Sequence, residues 1–256
     1  MERRLLMDAS VAAARGLRAN IRELDDGGRR RLVAAGPGRY GSVWARDFAW
    51  AAEGLLLAGE AEAVRGTLDA FFARQRPDGL LPRLLDTRWP WARFARAVLK
   101  ERLALRPPLA PNFVSDQLVV SHDVNALLVW AACRYAERAD EPAWAGLLLP
   151  KLEAAMAWYG GREREGLVVQ PPCADWKDKV RARRGPVFYT NLARWKALDA
   201  LGGLYGWLGR RSEAARAASA ARSLARRLQA AFWDDAGGFF QDVSGVRRLS
   251  SDGNLA

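Results

Sequence analysis

Apolar residues recur at helical spacing in segment after segment of this chain, and that periodicity limits the fold more than any other feature. Leu6, Ala13, Leu17 and Ile21 step along one face of a first segment. Phe48 to Leu57 continues the pattern and ends near Gly59, and Val64, Leu68 and Phe72 repeat it at i, i+4 and i+8. Val119–Ala136, Trp144–Tyr159 and Thr190–Leu208 read as further helices. Ser212, a suitable N-cap, opens another that runs through Leu224 and Leu228 to Phe232. A polar, glycine-bearing stretch, Asp25 to Gly41, separates the first two, and a turn at Asp234–Gly238 leads to a short extended piece, Phe239–Val243. No strand-rich region interrupts this order. About seven helices of similar length, paired by turns and long loops, predict an all-α fold of hairpin-array or toroid type, with residues 1–256 as a single partial domain.

The loops are where the sequence departs from periodicity. Leu80 to Asn112 holds five Pro together with Trp89 and Trp91, and is expected to be a long excursion with one short helix near Arg93–Arg102. Loops of this length inside a compact domain usually carry function. The irregular spacing also excludes a tetratricopeptide-type array with its fixed period.

Composition narrows the function classes. The formal net charge of +11 raises nucleic acid or an anionic membrane as partners. The Arg residues are spread along helical segments, however, and the two runs, Arg29–Arg31 and Arg181–Arg184, lack interleaved aromatics. A solvated helical face accounts for most of the charge, so neither nucleic acid nor membrane is expected as a partner. Cys133 and Cys173 have no His or Cys neighbour at metal-ligand spacing, and neither a metal nor an organic cofactor is implied. Charge after Met1 and the lack of any apolar stretch of roughly 18 residues make the cytoplasm the expected location. The count of eleven Trp is high, and Trp serves either a core or the flat apolar face of a sugar ring.

Three motifs carry candidate chemistry. Tyr40-Gly-Ser-Val-Trp-Ala-Arg-Asp47 leads straight into a helix and offers an aromatic platform, Trp44, beside the planar donors of Arg46 and the acceptors of Asp47. That set suits vicinal hydroxyls of a sugar; a buried Arg–Asp pair beside a core Trp is the alternative. Gln75-Arg-Pro-Asp-Gly-Leu-Leu-Pro82 is a turn with no chemistry of its own. Cys173-Ala-Asp-Trp-Lys-Asp178 precedes Gly185-Pro186 and Tyr189-Thr-Asn191. Asp175 and Asp178 flank Trp176, whose apolar wall would desolvate a carboxyl and raise its pKa, as a general acid at neutral pH requires. An Asp N-cap in a surface loop is the alternative there.

Taken in order, these motifs resemble the six-hairpin glycosidases, which include the α-1,6-glucosidase domain of glycogen debranching enzymes, the alkaline/neutral invertases, and related α-glucosidases and mannosylglycerate hydrolases. Trp44-Ala-Arg-Asp47 is similar to their Trp-x-Arg-Asp segment, and Gln75 to Pro82 to the Gln-x-x-x-Gly-x-x-Pro that follows. Ser121-His-Asp-Val-Asn125 resembles the start of a later helix. Trp176-Lys-Asp178 with Gly185-Pro186 and Asn191 to Leu198 resembles the segment bearing the general acid. The resemblance covers residues 40 to 255. It implies an α/α toroid and an inverting glycoside hydrolase acting on an α-glucoside or similar sugar conjugate. Asp178 would be the general acid, with Asp175 as the alternate. Trp44, Arg46 and Asp47 would line the sugar subsite, and Asp123, Asn125, Trp176 and Asn191 would contribute secondarily. Inverting members use a second carboxylate about 6.5–9.5 Å from the first to activate water. No Asp or Glu here matches that base, and the chain supplies roughly half the helices of a six-hairpin toroid, so the sequence reads as C-terminally shortened, stopping at Asp252-Gly-Asn-Leu-Ala256. An open toroid edge would expose apolar surface and favour self-association. The competing function is a non-catalytic carbohydrate-binding helical remnant.

Overall fold

A computed structural model describes residues 2–25, 29–37, 40–87 and 105–249. Trp89, Trp91, the short helix expected at residues 93–102 and the ending at 252–256 lie outside the described residues. Among the described residues there are seven helices and four small antiparallel sheets. The chain divides into two compact units, residues 1–74 with 82–112, and residues 75–81 with 113–256.

The first unit holds α1 (Glu2–Arg18), β1 (Ile21–Asp25), β2 (Arg29–Val33), β3 (Val43–Trp44), α2 (Ala45–Leu57), α3 (Ala61–Phe72), β4 (Leu84–Thr87) and β5 (Leu109–Asn112). The periodic apolar faces of α2 and α3 form its core: Phe48, Leu55, Leu68, Phe71 and Phe72 are fully buried, and the Phe48 and Phe71 rings stack at 6.2 Å. The stretch from Asp25, expected to be polar and irregular, instead contributes a strand, and β1 and β2 form a hairpin with Ile21 opposite Val33. Its arginines hide the pattern: Leu24, Leu32 and Val33 are buried while Arg29 and Arg30 face out. The hairpin is seated on α3, where the Val33 amide donates to Thr67 Oγ1 at 2.9 Å. A Cβ at Gly66 would lie 2.5 Å from the Arg31 carbonyl, so only glycine permits this approach. Glu60 ties the same corner together, pairing with Arg18 and Arg31 at 2.8 Å each. Those cations hold its carboxyl below the ordinary glutamate range.

The second unit holds α4 (Val124–Arg138), α5 (Pro142–Ala157), β6 (Glu163–Arg164), β7 (Leu167–Gln170), β8 (Gly185–Pro186), α6 (Phe188–Trp207), α7 (Arg211–Phe232), β9 (Trp233–Asp234), β10 (Phe239–Val243) and β11 (Val246–Leu249). α4 packs against α5 and α6, and α6 against α7. Pro142 opens α5, where a missing amide hydrogen costs nothing. Leu224, Leu228 and Phe232 of α7 close on Leu167 and Phe188, and the Phe188 and Phe240 rings stack at 4.5 Å. The expected extended piece at Phe239–Val243 is β10, the middle strand of a three-stranded sheet. α4 begins at Val124, five residues later than periodicity suggested, and leaves Asp123 at its N-cap position. The architecture is therefore helical pairs with small sheets in the connections, compatible with part of a helical toroid.

Candidate functional site

In the first unit, the segment around Trp44 is held by a three-stranded sheet, β3–β4–β5, in which Trp44 pairs with Leu84 and Leu84 with Asn112. Arg83, just before β4, accepts from the Ala45 amide at 3.0 Å and donates its own amide to the Asn112 carbonyl at 2.7 Å. Its side chain is buried, with the guanidinium 4.8 Å from the Trp44 ring centroid. Tyr40 meets the same indole at 6.4 Å between ring centroids. Arg46 is partly exposed and Asp47 stands at the surface in the first turn of α2. Crowding by protein raises the Asp47 carboxyl above its ordinary value, against the pull of Arg46 and Arg83. The segment thus offers an accessible carboxylate, a partly exposed guanidinium and a partly exposed indole backed by the buried Arg83, groups able to meet hydroxyls.

In the second unit, the turn at Gln75–Leu81 is structural. Gly79 has φ of +89°, and a Cβ there would come within 2.1 Å of the Ala154 carbonyl. Asn125 clamps this turn: it accepts from the Leu81 amide at 2.9 Å and donates to the carbonyls of Gly79 at 3.1 Å and Ala155 at 2.9 Å. Gln75 adds a bond from Nε2 to the Lys151 carbonyl at 2.9 Å. Asn191 does the equivalent work beside β7, accepting from the Val168 amide at 2.7 Å and donating to the carbonyls of Val168 at 3.0 Å and Val187 at 2.9 Å. Both amides are fully buried and engaged by backbone: Asn125 and Asn191, expected as secondary contributors to sugar binding, pin the turns they sit against.

The loop from Cys173 to Arg183 carries the carboxylates. Asp175 is fully buried. Its Oδ2 accepts from Arg183 Nε and from Gln170 Nε2, each at 2.9 Å, and its Oδ1 accepts from the Lys177 amide at 2.9 Å. Burial pushes its carboxyl above the ordinary aspartate range; Arg183 pulls it down, and Asp123 pushes it further up. That coupling shows Asp123 and Asp175 to be electrostatic neighbours, and the His122 amide donates to the Ala174 carbonyl at 2.7 Å, joining the start of α4 to the loop. Arg183 also donates from Nη1 to Asp242 of β10, and Gln170 Oε1 accepts from Thr190 of α6. Beside this buried knot the surface is different. Asp178 is partly exposed, Trp176 is 43% exposed, and Lys177 Nζ lies 4.9 Å from the Trp176 ring centroid.

The nine positions singled out in sequence thus separate by exposure. Trp44, Arg46, Asp47, Trp176 and Asp178 reach solvent, whereas Asp123, Asn125, Asp175 and Asn191 are enclosed. Sequence reasoning missed Arg83, Gln170, Arg183 and Asp242. Arg183 was concealed in a basic run that looked solvated, and only Arg83's place immediately after Pro82 of the turn motif hinted at a role. Among the described residues no three His, Cys, Asp or Glu side chains are grouped to hold a metal ion. No helix among them is long and apolar enough to cross a membrane.

No family model and no curated protein matches the sequence. Solved structures do match its fold. A rhamnosidase from Klebsiella oxytoca with rhamnose bound aligns at 17% identity and TM-score 0.56, over 84% of this chain and 37% of that one. A glycosidase in complex with glucose aligns at 17% identity and TM-score 0.60, over 93% of this chain and 60% of that one. A Streptococcus pneumoniae protein from a family of metal-independent α-mannosidases, in a non-productive complex with α-1,6-mannobiose, aligns at 12% identity and TM-score 0.57, over 95% and 63%. The chain spans less than two thirds of each of these proteins. What it shares with them is architecture: it has the fold of a large part of a glycosidase.

Proposed function

We propose that this chain carries the acid side of an inverting glycoside hydrolase of the six-hairpin, α/α-toroid group, acting on an α-glucoside or similar sugar conjugate, with residues 1–256 as part of one toroid domain. The observation that carries the proposal is a loop that presents a partly exposed carboxyl, Asp178, two residues from an exposed indole, Trp176, and is closed at its base by a buried ion pair. Asp178 is assigned as the general acid that protonates the glycosidic oxygen. Asp175, the alternate, has a raised pKa suited to an acid, but its lone pairs are spent on Arg183, Gln170 and the Lys177 amide, and it is enclosed. It serves better as the support of the loop. In the first unit, taken by itself, Trp44 is proposed as a platform for a sugar face and Arg46 and Asp47 as donors and acceptors for hydroxyls. The glycosidase fold of the neighbours supports a function of glycoside-hydrolase type.

The test is hydrolysis of a panel of p-nitrophenyl α-glycosides by the wild type and by Asp178→Asn, with the anomer of the released sugar followed by NMR. Loss of a general acid costs about 10²–10⁴-fold in rate, so Asp178→Asn is expected to fall by that factor. Wild-type turnover in that variant would remove Asp178 from the role. Sugar binding without turnover by the wild type would instead make the chain a carbohydrate-binding module.

A further inference from the structure

The buried knot under the Asp178 loop contains more charge than folding alone explains. Arg183, Asp175 and Asp242 have side chains only 2%, 1% and 6% exposed. Such a cluster contributes little net stability compared with apolar side chains of the same volume, because each ion must be stripped of water. What it does supply is geometry. The Asp175–Arg183 pair, at 2.9 Å, closes the chain between these two residues into a ring, and Asp178 lies within it. Inside the ring the Val180 amide donates to the Lys177 carbonyl at 2.9 Å and the Arg183 amide to the Val180 carbonyl at 3.2 Å.

Three outside elements then fix the ring. Gln170 of β7 bridges Asp175 to Thr190 of α6 and donates to the Arg183 carbonyl at 3.4 Å. Asp242 of β10 takes the second arm of the guanidinium. β10 is itself anchored to the exit of the ring, where Val187 bridges Val243 and the Ser244 amide donates to the Pro186 carbonyl at 3.1 Å.

We propose that Arg183 is a positioning residue for the Asp178 carboxyl, slung between Asp175 and Asp242 so that strand β10 sets where the acid loop sits. The proposal rests on the assignment of Asp178 as the acid. A planar guanidinium can donate in two directions at once in a fixed fork; a lysine ammonium on a flexible stem holds one partner well and the other poorly. Removing the cation would leave Asp175, Asp242 and the neighbouring Asp123 as close buried carboxylates with no shared counter-charge, and the ring would open. A misplacement of about 1 Å at a reacting group costs about 10²-fold in rate.

The experiment compares wild type, Arg183→Met, Arg183→Lys and Asp242→Asn in the full chain. Hydrogen exchange is followed in peptides covering residues 171–184 and, as a control, 190–205, and kcat and KM are measured separately with p-nitrophenyl α-glucoside. For Arg183→Met the expected result is at least about tenfold faster exchange confined to 171–184, with kcat down by about 10²-fold and KM nearly unchanged. Arg183→Lys is expected to recover part of both losses. Unchanged exchange in 171–184, or an unchanged kcat, in a folded variant would overturn the proposal. If Arg183→Met loses protection throughout, Asp242→Asn, which keeps the shape of the acceptor, decides: local loosening of 171–184 upholds the proposal and wild-type exchange overturns it. With a wild type that shows no turnover, hydrogen exchange alone decides: loosening confined to 171–184 in Arg183→Met upholds Arg183 as the residue that orders the loop, and unchanged exchange overturns it.

Discussion

At the scale of single residues, the same side-chain chemistry has different fates according to what surrounds it. Asp175 and Asp178 lie three positions apart, yet one is sealed among three donors and the other reaches solvent. His122, the sole histidine, illustrates the energetic consequence of enclosure. It is buried with its ring edge-on to Trp158 at 5.2 Å, and Nδ1 lies 3.1 Å from the Val120 carbonyl. Burial lowers its pKa from the ordinary 6.5. The unfolded chain therefore takes up a proton that the folded chain refuses, and stability is lost as pH falls below about 6.5 towards the lowered folded value. Urea unfolding midpoints between pH 7.5 and 5.5 should decline for the wild type and stay flatter for His122→Gln. Parallel declines would assign the pH dependence to other groups.

At the scale of elements, the helices follow their own periodicity but the connections are set by contacts from elsewhere. The turn at Gln75–Leu81 shows this. Its Pro77-Asp78-Gly79 core is legible as a turn, while the need for glycine comes from the Ala154 carbonyl of α5. Gly79→Ala combines a positive φ with a backbone clash and is expected to destabilise the protein by roughly 2 kcal/mol or more; thermal or urea denaturation measures it. A near-neutral effect would show that the turn can shift away from α5. The β1–β2 hairpin makes the complementary point. Four arginines across its two strands masked the alternation, and its seat on α3 depends on Gly66 and Thr67, over thirty residues away.

At the scale of the whole molecule, the charge of +11 raises a polyanion as the competitor to the carbohydrate proposed above. Arg211, Arg216, Arg222 and Arg226 of α7 all face solvent, on a helix whose other face is core. A surface of this kind attracts polyanions without recognising them. Duplex DNA should be retained only weakly at about 50 mM salt and released by about 200 mM, since unspecific binding falls steeply with counterion concentration. Tight retention at the higher salt in a mobility-shift assay would indicate a genuine nucleic-acid interface and weaken the carbohydrate assignment.

The sequence alone determined the helical character, the order of the long helices and the positions of the Trp44 and Asp178 motifs. These are local properties, written in spacings of three and four residues and in short runs of side chains. Only the tertiary structure decided which of the marked residues reach solvent and which are enclosed. Asn125 finds its partners 44, 46 and 30 residues away, Asn191 one of its partners 23 away, and Arg183 reaches Asp242 across 59 residues. Hydrogen bonds and ion pairs at such separations leave no period in the chain. A buried Asn that satisfies backbone and an exposed Asn that meets a sugar are spelled with the same letter, and the difference is made by the neighbours that folding brings to them.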